Sequence, residues 1–141
     1  MEIAVGCLKV IIYVPIQCPK HAWNLSIKPI QGSPYCQCVI TGDESIYHSY
    51  MALWAKRTPA VTAEYPYERF SCLVNSIRTR GYQPDEKYPL RVYRNTNCLE
   101  DGHHRAAIVY ALCEPGYKLH VEILDQDVPR DLDQCSNPCQ L

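Results

Sequence analysis

"LEDGHHRAAIVYAL", residues 99–112, sets an acid, a glycine, two histidines and an arginine directly ahead of an apolar run. The run predicts a helix, so the charged residues fall at a strand-loop-helix junction. Asp101 is the expected N-cap, and Gly102 lets the backbone pass close to a ligand. His103, His104 and Arg105 then fill the first turn, where free N–H groups point outward. Three potential cations there conflict with a macrodipole that is already positive at that end, by about 0.3–1 kcal/mol per group. A bound phosphate removes the conflict, because it accepts from the backbone N–H groups and from the guanidinium of Arg105. The plainer alternative has both histidines neutral and hydrogen-bonded, with Arg105 paired at the surface to Asp101 or Glu100.

Working outward, "CLKVIIYVPI" (7–16) reads as a first strand ended by Pro15, and it suits a buried strand better than a signal peptide or membrane span. Residues 17–37 carry Pro19, Pro29, Gly32 and Pro34 and read as an irregular connection. "GDESIYHSYMALWAKR" (42–57) offers Asp43 as N-cap and an apolar face of Ile46, Tyr50, Leu53 and Trp54. After a second connector, "ERFSCLVNSIRTRG" (68–81) places Phe70, Leu73, Val74 and Ile77 on one stripe, Arg78 and Arg80 in the last turn and Gly81 as the stop. "YPLRVYR" is a short strand with Leu90 and Val92 inward, and "YKLHVEIL" a clearer one with Leu119, Val121 and Ile123 on one face. The order of elements predicts one compact α+β domain over residues 1–141, with a small mixed sheet and flanking helices. The tail from Asp125 is expected on the surface.

The 14 basic and 15 acidic residues give a formal net charge of −1, which disfavours nonspecific binding to nucleic acid or to an anionic membrane. The nine cysteines are odd in number and irregular in spacing, which favours free thiols and a cytoplasmic setting. Cys72 and Cys113 read as small core residues. Cys18, His21, Cys135 and Cys139 form a weak zinc signature, its two gaps differing in length. The eleven tyrosines offer ring faces to bases, though core or rim packing is their commoner use.

The stretch "FSCLVNSIRTRGYQPDEKYPLRVYRNTNCLEDGHHRAAIVYAL" (70–112) resembles the ParB/sulfiredoxin-like superfamily. In that family a helix of the form L-x-x-S-I-x-x-x-G is followed by a short strand and by a D-G-H-x-R or G-x-x-R turn opening the next helix. The likeness covers about residues 64–124. Residues 1–63 form a divergent N-terminal part and 125–141 lie beyond the family core. It implies that Gly102, His103, His104 and Arg105 cradle nucleotide phosphates, ATP or ADP ahead of CTP.

Sulfiredoxins carry a cysteine where His103 stands, so sulfinic acid reduction is not implied. Too little chain follows Leu124 for the DNA-binding domain of partitioning proteins. Free-serine kinases of this fold carry a D-G-H-T-R turn, the nearest pattern to Asp101–Arg105, with a glutamate base ahead of the long helix. Glu64 and Glu68 are the candidates for that base, with Glu64 preferred for its loop position. Asp101 is then expected on the acceptor hydroxyl or on Mg²⁺, and His104 as a donor to the transferring group. The leading expectation is a nucleotide-binding domain that transfers phosphate to a small hydroxyl acceptor such as a free amino acid. A non-catalytic nucleotide sensor and a ParB-like nuclease are the alternatives.

Overall fold

The structure, a computed structural model, describes residues 1–15, 23–56, 60 and 63–128. It is a mixed α+β arrangement in which short strands and helices enclose a largely buried helix. The chain opens with strand β1 (Glu2–Ala4), a 3-10 turn (Val5–Cys7) and a long hairpin of β2 (Lys9–Pro15) and β3 (Trp23–Pro29). A second 3-10 turn (Ile30–Gly32) leads into helices α1 (Pro34–Thr41) and α2 (Glu44–Ala55). Then come α3 (Tyr67–Arg80), β4 (Leu90–Val92), β5 (Leu99–Asp101), α4 (His103–Leu112) and β6 (Lys118–Ile123).

The main sheet has the order β1-β6-β4-β5, with β4 and β6 parallel and the other neighbours antiparallel. The register between β4 and β5 shifts at Arg91/Val92. The hairpin joins this sheet through Lys9, whose N–H donates to the Asn97 carbonyl at 2.8 Å. Farther along the same edge of β2, the N–H of Ile11 donates to Nε2 of His103 at 3.3 Å and that of Tyr13 to the Tyr50 hydroxyl at 3.1 Å. A strand edge that would otherwise expose unpaired donors is thus closed by one carbonyl and two side chains.

Helix α4 occupies the centre because its sequence is apolar on every side. Ala106, Ala107, Ile108 and Val109 are all fully buried, and the helix packs against α1, α3 and both 3-10 turns. The two alanines allow close approach on the sides where the larger pair cannot. Above its N-terminus lies an aromatic layer of Tyr35, Tyr47, Tyr50 and Phe70, with ring centroids 4.9–5.9 Å apart for the Tyr35–Tyr47, Tyr35–Tyr50, Tyr35–Phe70 and Tyr47–Phe70 pairs.

Several elements differ from the sequence expectation. Residues 17–37 are not wholly irregular. "WNLSIKP" pairs along all of β2 as β3, although it brings only a few apolar side chains to mark the alternation. Ser33 accepts from the Tyr35 N–H at 3.2 Å with Pro34 in the first helical turn, so "GSPY" starts α1 by ordinary capping. Helix α2 starts at Asp43 as expected and buries Tyr50 of the expected face, with Ile46 and Trp54 packed against the core, but its most buried positions also include Tyr47 and Met51. The Tyr47 hydroxyl donates to the Tyr65 carbonyl at 2.7 Å, which lets a polar-tipped side chain go inside. Helix α3 follows its predicted stripe, with Phe70, Val74 and Ile77 buried and Gly81 at φ 77° as the stop.

Cys72 is exposed and Cys113 half-buried at the end of α4, so the core thiols are instead Cys36, Cys38 and Cys98. Ile123 pairs with Val92 at the end of β6 but is 43 % exposed, so the inward face of this strand ends at Val121. Cys18, His21, Cys135 and Cys139 lie outside the described residues, as does the tail beyond Val128.

Because α4 touches almost every layer, truncation inside it should be costly. Ile108→Ala is expected to lower the free energy of unfolding by about 2–5 kcal/mol, the range for a large-to-small change at a buried site. Urea denaturation followed by circular dichroism measures it, and a loss under about 1 kcal/mol would contradict the central position of this helix.

Candidate functional site

The junction between β5 and α4 turns on Gly102, at φ 93° and ψ 22° in the left-handed region. A Cβ built there would stand 2.0 Å from Cδ2 of Leu90, itself fully buried, so both the backbone angle and the packing call for glycine. Gly102, not Asp101, is the N-cap, and no side chain caps the helix. Asp101 ends β5 instead, and its Oδ1 accepts from the adjacent Gly102 N–H at 2.9 Å. With Asp101 turned back in this way, the first turn of α4 has no side-chain acceptor of its own. The first intrahelical bond runs from the Ala106 N–H to the Gly102 carbonyl at 3.0 Å.

The two histidines have separate surroundings. His103 accepts the Ile11 N–H on Nε2, which fixes that nitrogen as unprotonated and leaves the ring proton on Nδ1 in the neutral form. His104 stands edge-on in an aromatic cage, 4.2 Å from Tyr35, 5.3 Å from Tyr65 and 5.7 Å from Phe70 between ring centroids. Burial pushes both imidazoles down to about 4. For His104 the neighbouring His103, Arg69 and Arg105 act in the same direction, whereas Asp101 opposes the shift at both rings. The neutral-histidine alternative weighed from the sequence therefore describes both side chains.

Arg105 does not pair with Asp101 or Glu100. Its Nη1 donates to the Tyr88 carbonyl, and Nη2 lies 3.4 Å from where a Cβ on Gly102 would be. The carboxylates belong to Arg91, whose Nε is 3.0 Å from Glu100 Oε2 and whose Nη2 is 3.7 Å from Asp101 Oδ2. The 3.0 Å contact lacks hydrogen-bond geometry, so it is an ion pair held by charge alone.

Glu64 and Glu68 are both exposed. The Glu64 carbonyl accepts from Arg69 at 2.8 Å, and the Arg69 guanidinium covers the Tyr65 ring. Glu68 lies in the first turn of α3 and lines an open groove of about 490 Å³ with Tyr47, Met51, Tyr65 and Tyr67. Tyr47 and Tyr65 also touch the His104 ring, so the groove reaches the turn through two side chains of the cage. A smaller cavity of about 170 Å³ lies between α1 and α3. The turn residues themselves line neither.

Among the described residues, no three His, Cys, Asp or Glu side chains gather as a protein-built metal site would need. Asp101 stands as a single half-exposed carboxylate. The partners Ile11, Tyr35 and Tyr88 come from distant segments and have no local signature in the turn. Only the density of tyrosine in the chain hinted at the cage.

No family model, no curated protein and no solved structure matches this chain. No helix among the described residues is long and apolar enough to cross a membrane.

Both histidines are neutral in the fold at pH 7, and each gains a proton more readily when unfolded, near 6.5, than when folded, at about 4. Between these values the unfolded state binds more protons, so stability is full above about 6.5 and falls as pH drops toward 4. The slope is expected to approach about 1.4 kcal/mol per pH unit for each histidine. Chemical denaturation at pH 7, 6 and 5 measures it, and His103→Gln, which keeps an acceptor, should remove one histidine's share. A pH-independent midpoint across that range would contradict the buried neutral state.

Proposed function

We propose that this chain is a nucleotide-binding domain of the ParB/sulfiredoxin-like kind, taking phosphate at Gly102–Arg105. The observation that carries the reading is the state of Arg105. It is a half-buried guanidinium beside an uncapped helix N-terminus, and its hydrogen-bond partner is the Tyr88 carbonyl, with no carboxylate paired to it among the described residues. Arg91 and Arg94, in contrast, each hold two carboxylates. A positive side chain bonded to a neutral acceptor at the positive end of a helix dipole favours an oxyanion by charge as well as by hydrogen bonding. Gly102 itself is accounted for by its left-handed backbone and by Leu90 packed against it, and the N–H groups of residues 103–105 that follow are the donors an anion would use.

In this reading His103 and His104 shape the turn and supply at most a neutral N–H each. Binding is thereby better supported than catalysis. ATP, ADP and CTP, each with and without Mg²⁺, are the ligands to titrate by calorimetry. Arg105→Ala is expected to weaken the preferred nucleotide by about 1.5–3 kcal/mol, the worth of a charge-assisted hydrogen bond. Equal affinity in wild type and variant would reject the site.

A phosphotransferase reading has one observation in its favour, the place of Glu68 in the groove whose walls touch His104. That position shifts the preference for a general base from Glu64 to Glu68. Phosphorus NMR with ATP, Mg²⁺ and free serine as a representative hydroxyl acceptor tests it. Glu68→Gln should cut transfer by about 10²–10⁴ with nucleotide affinity kept, whereas Glu64→Gln should not. If wild type binds nucleotide and transfers nothing, the sensor reading stands. The nuclease reading has no observation in its favour.

A further inference from the structure

The tyrosines that stand out in the sequence meet open space in the groove between α2 and the segment leading into α3, whose volume of about 490 Å³ is that of a small-molecule site. Buried Tyr47 lies at its base, and the half-buried rings of Tyr65 and Tyr67 form its walls. On the α2 side Ala52 and Ala55 add no bulk, so the groove continues as an apolar ledge.

The aromatic wall is fixed before any ligand arrives. The Tyr47 hydroxyl donates to the Tyr65 carbonyl at 2.7 Å. The Tyr67 ring lies 5.5 Å from Tyr47 at an angle of 70°, and 5.5 Å from the His48 ring. A ligand therefore meets a surface that it does not have to order.

Charge decides what that ligand is. Glu68 carries the fixed charge of the lining, stands exposed at the rim, and pairs with no cation among the described residues. His48, also on the rim, contacts Glu44 at 2.8 Å, which brings a second carboxylate to the same side. Among the described residues no lysine or arginine lines the groove. The neighbouring Arg69 is tied to the Glu64 carbonyl at 2.8 Å, with its guanidinium carbon 4.8 Å from the centre of the Tyr65 ring. That contact shows the cluster taking a cation on a ring face, and it leaves Tyr67 as the ring next to Glu68. An ammonium with its own N–H groups would give up several water bonds for one carboxylate. A methylated head is weakly hydrated and presents carbon to the ring and to Ala52.

We propose that this groove is a binding site for a small organic cation, with a methylated ammonium head held by Tyr67 and Glu68 and an apolar body along Ala52 and Ala55. The site stands apart from the Gly102–Arg105 turn, and it holds whether or not that turn takes a nucleotide.

Calorimetry on the full chain with choline, hexyltrimethylammonium and dimethylbutanol, the uncharged carbon isostere of choline, tests it without nucleotide present. Both cations should bind, the hexyl compound severalfold more tightly, and the alcohol should bind at least severalfold more weakly than choline. Glu68→Gln, an exposed and nearly isosteric change, should weaken choline severalfold. Tyr67→Leu should weaken it about tenfold, whereas Tyr67→Phe keeps the ring face and should bind as wild type does. In amide NMR spectra the signals that shift should be those of α2 and residues 63–68. Equal affinity for choline and its uncharged isostere, or for wild type and Glu68→Gln, would overturn the cation site. So would the absence of binding by either cation at millimolar concentration, or shifts confined to another face. If Tyr67→Leu does not fold, the Glu68→Gln and isostere comparisons still decide.

Discussion

The bond from the Ile11 amide to the His103 imidazole joins two parts of the chain that share no other backbone ladder at that point. At Ile11 the edge of β2 away from β3 meets the first turn of α4, which has a side chain that can accept. Without that acceptor, a strand donor would be buried beside the helix and unsatisfied, which costs about 1–3 kcal/mol. The same bond sets the ring orientation of His103, and Gly102 just before it sets the chain direction. The neighbouring His104 is then carried into the aromatic cage, and Arg105 out toward the Tyr88 carbonyl. One acceptor at the sheet edge thus divides three consecutive side chains among the hairpin, the core and the surface.

This division explains why charged-looking residues occur together in the first turn of α4. Two of the three are not charged in the fold, because burial holds both imidazoles neutral at pH 7. The dipole conflict read from the sequence shrinks to a single guanidinium. The case for an anion rests on fewer charges than the sequence suggested, but on a more specific one, placed beside the residue that has no room for a Cβ.

Much of the local structure was legible. Helix α3 carried its apolar stripe, its basic last turn and its terminal glycine in one continuous stretch, and Asp43 marked the start of α2. β4 and β6 alternated cleanly over their inward residues. What escaped was short or mixed in pattern. β5 has three residues, too few for a period, and β3 alternates around Asn24, Ser26 and Lys28 with two prolines in the surrounding connection. At the site, the Gly102–Arg105 turn stood out because its chemistry is contiguous. The partners that decide what each side chain does lie far away, up to 92 residues in the case of Ile11, and no spacing rule links them. For that reason the sequence points to Asp101 as a cap, and its plainer alternative pairs Arg105 with Asp101 or Glu100, when both carboxylates belong to Arg91.

The outermost strand of the main sheet has a temporal consequence. Among the described residues β1 pairs only with β6, Glu2 lying opposite His120, so the earlier-synthesised of the two strands waits for the later. The parallel pairing of β4 with β6 adds a crossover through α4 that must be laid down in between. Contacts of such long range close slowly, because loop entropy is spent before they form. Until then the apolar strand residues of the N-terminal half have no sheet to join, and co-translational folding of this chain can reach the hairpin and the first helices but not a finished sheet.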